Sequence, residues 1–185
     1  MTGPEIQGDD SPLLASLAMA MVERPRSTLM ELAKAVGISK ATLYRYCRTR
    51  DDLVARLMKH SLGLLTQAMR AAQLDASSPL EALRRLNANY LEHRELIAFL
   101  VYFRREKYAA KAANGESEWE ASLDRFFLRG QREGVFRIDI PAPGLTELWA
   151  CTMIGLVDAE RRGRVARAGL AALIEQAFLD GVAAR

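Results

Sequence analysis

Lys40, Ala41, Tyr44 and Arg45 are the residues whose types and spacing first suggest chemistry. On a helix turning about 100° per residue they fall within an arc of roughly 140°, while Leu43 and Tyr46 point away. One face of such a helix can pack while the other meets DNA. The major groove admits an α-helix, and Lys or Arg can read a guanine through its O6 and N7 atoms. Just downstream, Arg48 and Arg50 flank Thr49, a residue suited to cap a third helix. Free backbone N–H groups and two cations then converge on one point, which suits a phosphate and would fix the reading helix in register. The plainer alternatives are a solvated helix face and an ordinary N-cap with two surface arginines.

Charge is concentrated around those residues. The formal net charge is +3, from 26 basic and 23 acidic residues in a chain of 185. Between Arg24 and Arg50, seven basic residues (Arg24, Arg26, Lys34, Lys40, Arg45, Arg48, Arg50) stand against one acid, Glu31, so this segment carries +6 and the remainder −3. A basic partner-binding surface is therefore expected near the N-terminus, although charge alone does not distinguish it from a solvated face.

Enzyme chemistry has little to build on. His60 and His93 are the only histidines, 33 residues apart, and neither sits in HExxH, HxH or a Cys/His cluster of metal-ligand spacing. There is no Gly-rich phosphate loop and no GxSxG. Glu92 with Glu95, and Asp51 with Asp52, read as helix-face and capping carboxylates rather than an acid/base pair. No enzyme activity, cofactor or metal is expected. Cys47 and Cys151 form neither a CxxC pair nor a secreted-type framework and read as free thiols in a reducing cytosol. The first ten residues hold Glu5, Asp9 and Asp10 but no Lys or Arg, and the apolar run from Leu13 to Val22 is too short to span a bilayer. A cytoplasmic protein without a membrane partner is expected.

The elements that must position these residues are helices. Composition is ordinary for a globular chain, with 50% hydrophobic and 26% charged residues, and at this length about 70% of the unfolded surface can be buried without disulfide or metal support. An opening helix is expected from Ser11 to Glu23. Thr28-Leu29-Met30-Glu31 is a capping box, followed by Leu29, Leu32, Ala33 and Val36 at i, i+3, i+4, i+7 and by a stop at Gly37. Ser39 caps a short helix through about Tyr46, and Thr49-Arg50-Asp51-Asp52 opens a long one with Leu53, Leu57, Leu64, Leu65 and Ala68 inside. Ser78-Pro79-Leu80-Glu81 starts the next, lined by Leu80, Leu83, Leu86, Tyr90 and Leu91. A helix carrying Ile97, Leu100, Val101 and Phe103 follows and ends near Asn114-Gly115. Another, capped by Ser117, carries Trp119, Leu123, Phe126 and Phe127. Gly134 to Gly144 reads as a loop, and two apolar helices then run from Leu145 to about Arg161 and from Val165 to about Val182. The expectation is an all-α fold of about nine helices: a flexible tail at residues 1–10, a three-helix unit with a helix-turn-helix at 11–56, and a larger helical bundle at 57–185.

Thr28 to Tyr46 has the helix-turn-helix layout, with small Ala33 where a second helix approaches, Gly37 in the turn and Leu43 as anchor. At these residues the sequence resembles the tetracycline-repressor (TetR) family of bacterial transcription regulators. The resemblance rests on Thr28-Leu29-Met30-Glu31-Leu32-Ala33, on Val36-Gly37-Ile38-Ser39-Lys40-Ala41-Thr42-Leu43-Tyr44-Arg45-Tyr46, and on Thr49-Arg50-Asp51-Asp52-Leu53. These motifs span about a quarter of the chain, and the rest resembles the family in length, helix count and the amphipathic last two helices. The sequence departs from the family pattern at Cys47, which replaces an aromatic, at Arg48, which replaces a frequent proline, and in the short link from Glu23 to Ser27.

The resemblance implies a sequence-specific DNA-binding regulator, a repressor released from a palindromic operator by a small-molecule effector. It places Lys40, Ala41, Thr42, Tyr44, Arg45 and Tyr46 at DNA-facing positions, with Thr28 and Arg50 at phosphate contacts and Arg48 beside them. It also implies a homodimer built on the last two helices. Their small and apolar stripes, Leu148, Cys151, Thr152, Gly155 and Leu156 with Leu170, Leu173, Ile174, Ala177, Phe178 and Gly181, would permit close approach, and monomer core is the alternative. The aromatics Tyr90, Phe99, Tyr102, Phe103, Trp119, Phe126 and Phe127 are the candidate effector-binding residues, again with core packing as the alternative. A competing reading is a helical ligand-binding or scaffolding protein whose DNA-binding unit is degenerate.

Overall fold

The computed structural model describes residues 11–107 and 118–184, with the backbone alone described over 104–107. Among the described residues it is all-α, with nine helices: α1 (Ser11–Glu23), α2 (Leu29–Ala35), α3 (Lys40–Tyr46), α4 (Arg50–Ala71), α5 (Pro79–Leu91), α6 (Arg94–Lys107), α7 (Glu118–Arg132), α8 (Ala142–Arg161) and α9 (Leu170–Val182). The expected tail at residues 1–10, the expected end of α6 near Asn114-Gly115 and Ser117 ahead of α7 lie outside the described residues.

Local chemistry starts and stops most of these helices where the sequence predicts. Ser78 accepts a hydrogen bond from the Glu81 N–H at the head of α5, with Pro79 in the first turn. Gly37 and Gly134 take positive φ values of 75° and 72° after α2 and α7, a conformation that costs a residue without Cβ little.

Two boundaries differ from expectation. The loop expected to reach Gly144 ends at Pro141, because Pro143 sits in the first turn of α8, where its missing N–H forfeits no helical bond. The last helix begins at Leu170 rather than Val165, since Gly169, at φ 84°, sets the chain's direction only there. Asp158 holds the preceding turn by accepting from Arg161 and Arg162, each at 2.7 Å.

The chain forms two compact units. The described residues of the first are 11–64 and 95–107. Its core joins Leu14, Leu17 and Met21 of α1, Leu29 and Leu32 of α2, Leu43 of α3, Leu53 and Leu57 of α4, and Leu96, Phe99 and Phe103 of α6. This unit takes in residues 57–64 and all of α6 after Arg94 as well as the helix-turn-helix. The described residues of the second unit are 65–94 and 118–184. There α7 packs on α8, α8 on α9, and α5 on α7 and α9. Phe126, Phe127, Phe136 and Phe178 pack ring against ring at its centre. The Arg137 N–H donates to the Val182 carbonyl at 2.9 Å and the Ala184 N–H to the Val135 carbonyl at 3.0 Å, which pins the end of α9 beside the α7–α8 loop.

Candidate nucleic-acid interface

The helix-turn-helix is built from two capped short helices. Thr28 accepts from the Glu31 N–H at 3.3 Å, and the Glu31 carboxylate takes the Thr28 N–H at 2.7 Å and its hydroxyl at 2.9 Å, a complete capping box. Those donors hold the Glu31 carboxyl below its usual range, the Thr28 backbone bond foremost. At the head of α3 the Ser39 hydroxyl accepts from the Thr42 N–H at 3.0 Å and lies 2.9 Å from the Thr42 hydroxyl. Each cap supplies a partner to N–H groups that have none within the helix.

Helix α3 divides into two faces. Leu43 is completely buried, and removing such a side chain from water contributes about 1.5–3 kcal/mol. Lys40, Ala41, Tyr44 and Arg45 are exposed, whereas Thr42 and Tyr46 are half-buried. The Lys40 ammonium lies 5.2 Å from the centre of the Tyr44 ring, one turn away, so a cation and an aromatic form one outward group.

The start of α4 completes the surface. Thr49 accepts from the Asp52 N–H at 3.1 Å, and Asp52 accepts from the Arg48 N–H at 3.0 Å and pairs with Arg56 at 3.5 Å. Arg48 is exposed. Arg50 is not placed like its neighbours: it is half-buried, one guanidinium nitrogen donates to the Pro25 carbonyl, and the group lies over the Phe103 ring. Cys47, where the sequence departs from the family pattern, is buried among the core side chains, and its thiol donates to the Leu43 carbonyl at 3.6 Å. Burial pushes that thiol's pKa up, and Asp52 adds to the shift.

The candidate effector-binding aromatics fall in both units. Phe99 and Phe103 are core residues of the first, their rings 4.7 Å apart, and Tyr102 is partly exposed beside a cleft of about 450 Å³ lined also by Arg24, Pro25, Arg26, Ser27 and Glu31. In the second unit Phe126 and Phe127 are fully buried. Tyr90 is buried and half-buried Trp119 donates its indole N–H to the Tyr90 hydroxyl at 2.7 Å. Burial pushes the Tyr90 phenol up to about 12.

Two residues of this second group were missed by sequence reasoning. Trp149 of α8 stacks edge-on against Tyr90 at 5.2 Å and lies 6.3 Å from Trp119, and its indole N–H donates to the Asn87 side-chain oxygen at 2.8 Å. The Asn87 Nδ2 is buried with no hydrogen-bond partner among the described residues. The available signal was Asn87 itself, a polar residue on the same α5 stripe as Leu83, Leu86 and Tyr90.

The stripes expected to meet a second copy also separate. Leu148, Cys151 and Gly155 of α8 and Leu173, Ala177 and Gly181 of α9 are exposed, and Thr152 and Leu156 are half-buried. Leu170, Ile174 and Phe178 lie on the opposite side of α9 and are buried within the protomer's own core. Among the described residues no three His, Cys, Asp or Glu side chains are grouped to hold a metal, and no helix is long and apolar enough to cross a membrane.

No protein-family model matches the chain. It is 50% identical over 175 residues to the HTH-type transcriptional regulator NfxB of Pseudomonas aeruginosa, covering 93% of each protein. The fold is similar to that of the ketosteroid transcriptional regulator KstR2 of Mycobacterium tuberculosis, with a TM-score of 0.76 at 18% identity and full coverage of both chains. It is also similar to that of the TetR-like transcriptional regulator LfrR of Mycobacterium smegmatis in complex with proflavine, with a TM-score of 0.71 at 21% identity over 92% of this chain and 94% of that one.

Proposed function

The chain belongs to the TetR family of transcriptional regulators, and on that premise we propose that it is a cytoplasmic, non-enzymatic homodimeric repressor that leaves a palindromic operator when a small molecule binds its second unit. The observation that carries the DNA-binding part is the division of α3, where Leu43 is sealed into the core while Lys40, Ala41, Tyr44 and Arg45 face outward. Lys40 and Arg45 read base edges, and Tyr44 with Ala41 supplies apolar contact to a thymine methyl. Thr42 and Tyr46 flank that face. Thr28 and Arg48 hold phosphates on either side and set register rather than sequence.

The outward stripe of α8 and α9, from Leu148 through Gly155 and from Leu173 through Gly181, is the surface offered to a second copy. Two-fold pairing would set the reading helices about 34 Å apart, one turn of DNA. For the effector, buried Tyr90, Trp149 and Asn87 with half-buried Trp119 combine aromatic faces with an amide donor that lacks a partner, the mixture that small-molecule sites use. Proflavine, the flat aromatic compound in the LfrR complex, is the natural first probe.

The test is selection of duplexes by the purified protein from a random-core library, followed by binding at several salt concentrations. A two-fold symmetric sequence, bound with steep salt dependence and resistant to unrelated duplex, is expected. Recovery of no preferred sequence would overturn the regulator reading. Trp119 and Trp149 are the chain's only tryptophans, so proflavine bound at this group must quench the intrinsic fluorescence. Unchanged emission at saturating compound would remove proflavine as an effector.

A further inference from the structure

We propose that Arg50 is a positioning residue of the helix-turn-helix unit and not one of its phosphate contacts: its guanidinium clamps the α1–α2 linker to α6. Seven basic residues lie between positions 24 and 50, and six of them, Arg24, Arg26, Lys34, Lys40, Arg45 and Arg48, are exposed. Arg50 alone is half-buried. Its Nη2 donates to the Pro25 carbonyl, in the linker three residues before the Thr28 cap of α2. Its guanidinium carbon lies 5.7 Å from the centre of the Phe103 ring. Phe103 is 2% exposed and packed by Phe99 at 4.7 Å and Tyr102 at 5.1 Å, so the ring is a fixed platform.

Arginine fits this place for physical reasons. A planar, weakly hydrated guanidinium can lie on an aromatic face and still direct an N–H to a carbonyl in its own plane, whereas a lysine ammonium is a compact, strongly hydrated point charge. The Pro25 carbonyl takes one of the five guanidinium N–H groups and the Phe103 ring backs the plane, so the group's position is set by protein partners before any phosphate arrives. The clamp therefore fixes where the linker leaves α1, and so where Thr28 and the reading helix stand, through contacts made inside the protein. Because its three partners, α4, the linker and α6, lie in one compact unit, the clamp acts whether or not an effector site exists.

Four variants test this: Arg50→Ala, Arg50→Lys, Phe103→Leu and the double variant Arg50→Ala/Phe103→Leu, with Arg48→Ala as the comparison. The readouts are affinity for the duplex selected by the wild-type protein at several salt concentrations, thermal melting, and amide exchange over residues 24–28 without DNA. Removing a charged hydrogen bond that seats the reading unit is expected to weaken binding about 10- to 100-fold. Arg50→Ala and Phe103→Leu should both do so with the salt slope unchanged, Arg50→Lys should restore little, and the double variant should be no weaker than the worse single one. The Ser27 N–H, which donates to the Arg24 carbonyl in the linker turn, should exchange faster in each. Arg48→Ala, by contrast, should lower the slope by about 0.9 for each phosphate that the side chain neutralises in the wild-type complex.

A fall in slope for Arg50→Ala with rescue by lysine, while Phe103→Leu binds like wild type, would make Arg50 a phosphate contact and overturn the proposal. So would lower melting points with unchanged affinity among folded molecules, which would reduce the contact to a structural one. The exchange readout needs no duplex, and linker protection equal to wild type in both Arg50→Ala and Phe103→Leu overturns the clamp even if no operator is found.

Discussion

Replacing Leu148 and Leu173 together by aspartate should take the dimer apart while leaving the protomer folded. Leu148 is 45% exposed and Leu173 38%. A fully buried leucine contributes about 1.5–3 kcal/mol, so the fraction still open on each side chain is worth about 0.6–1.4 kcal/mol when a partner covers it. A two-fold interface uses both residues twice, which makes the loss about 2.5–5 kcal/mol per dimer before any cost of bringing four carboxylates together. At about 1.4 kcal/mol per factor of ten, the dimer dissociation constant should rise roughly 60- to 4000-fold. Within the protomer both sites are surface positions, where substitutions usually change stability by less than about 0.5 kcal/mol. Sedimentation equilibrium across nanomolar to micromolar concentrations reads the first effect, and helicity by circular dichroism at 25 °C checks the second. An unchanged dissociation constant would place the interface elsewhere, and a wild-type chain that stays monomeric at micromolar concentration would refute the dimer reading itself.

Three further outcomes follow from the geometry. Lys40→Ala should alter which bases are preferred, at about 1–3 kcal/mol per discriminated position, whereas Arg48→Ala should weaken all duplexes about equally, as repeated selection and titration would show. Gly130→Ala would put a Cβ 2.3 Å from the buried Phe136 ring, and overpacking of about 1–3 kcal/mol should exceed the gain of up to about 1 kcal/mol from helix propensity. Gly63→Ala, with no atom within 4 Å, should raise the melting point instead. The Cys47 thiol has a raised pKa in the native state, so the unfolded chain loses that proton first and stability should decline as pH rises above about 8.5. In the Leu148→Asp/Leu173→Asp variant, where no second copy covers α8, a thiol reagent at pH 8 should label exposed Cys151 at once and Cys47 only on unfolding, and two equally fast thiols would contradict the burial.

Much of the reading unit was legible because its determinants are local. The Thr28 capping box, the Ser39 cap, the left-handed turn at Gly37 and the opposition of Leu43 to Lys40 and Arg45 each depend on residues within about one helical turn. The start of α9 is harder to place, since Val165 continues the apolar pattern and only the backbone at Gly169 interrupts it. Phe126 and Phe127 carry the same periodicity whether they line a cavity or fill a core, and burial against Phe136 and Phe178 could not be deduced from spacing. Leu170, Ile174 and Phe178 share their periodicity with the exposed stripe of Leu173, Ala177 and Gly181, because residues on two sides of one helix look alike until a neighbouring helix covers one side.

By itself the sequence determined the all-helical fold class, the two capped helices of the reading unit and the basic segment around them. Hydrogen bonds within a turn and a periodicity of 3.6 residues are written in neighbouring residues. Tertiary structure decided what each long-range side chain does. Arg50 lies 25 residues from Pro25 and 53 from Phe103, and Asn87 lies 62 from Trp149. No spacing rule connects positions so far apart. Only the packing of α6 beside the linker, and of α5 beside α8, set an expected phosphate ligand against the Pro25 carbonyl and the Phe103 ring, and made a polar residue on an apolar stripe a buried amide whose Nδ2 has no partner among the described residues.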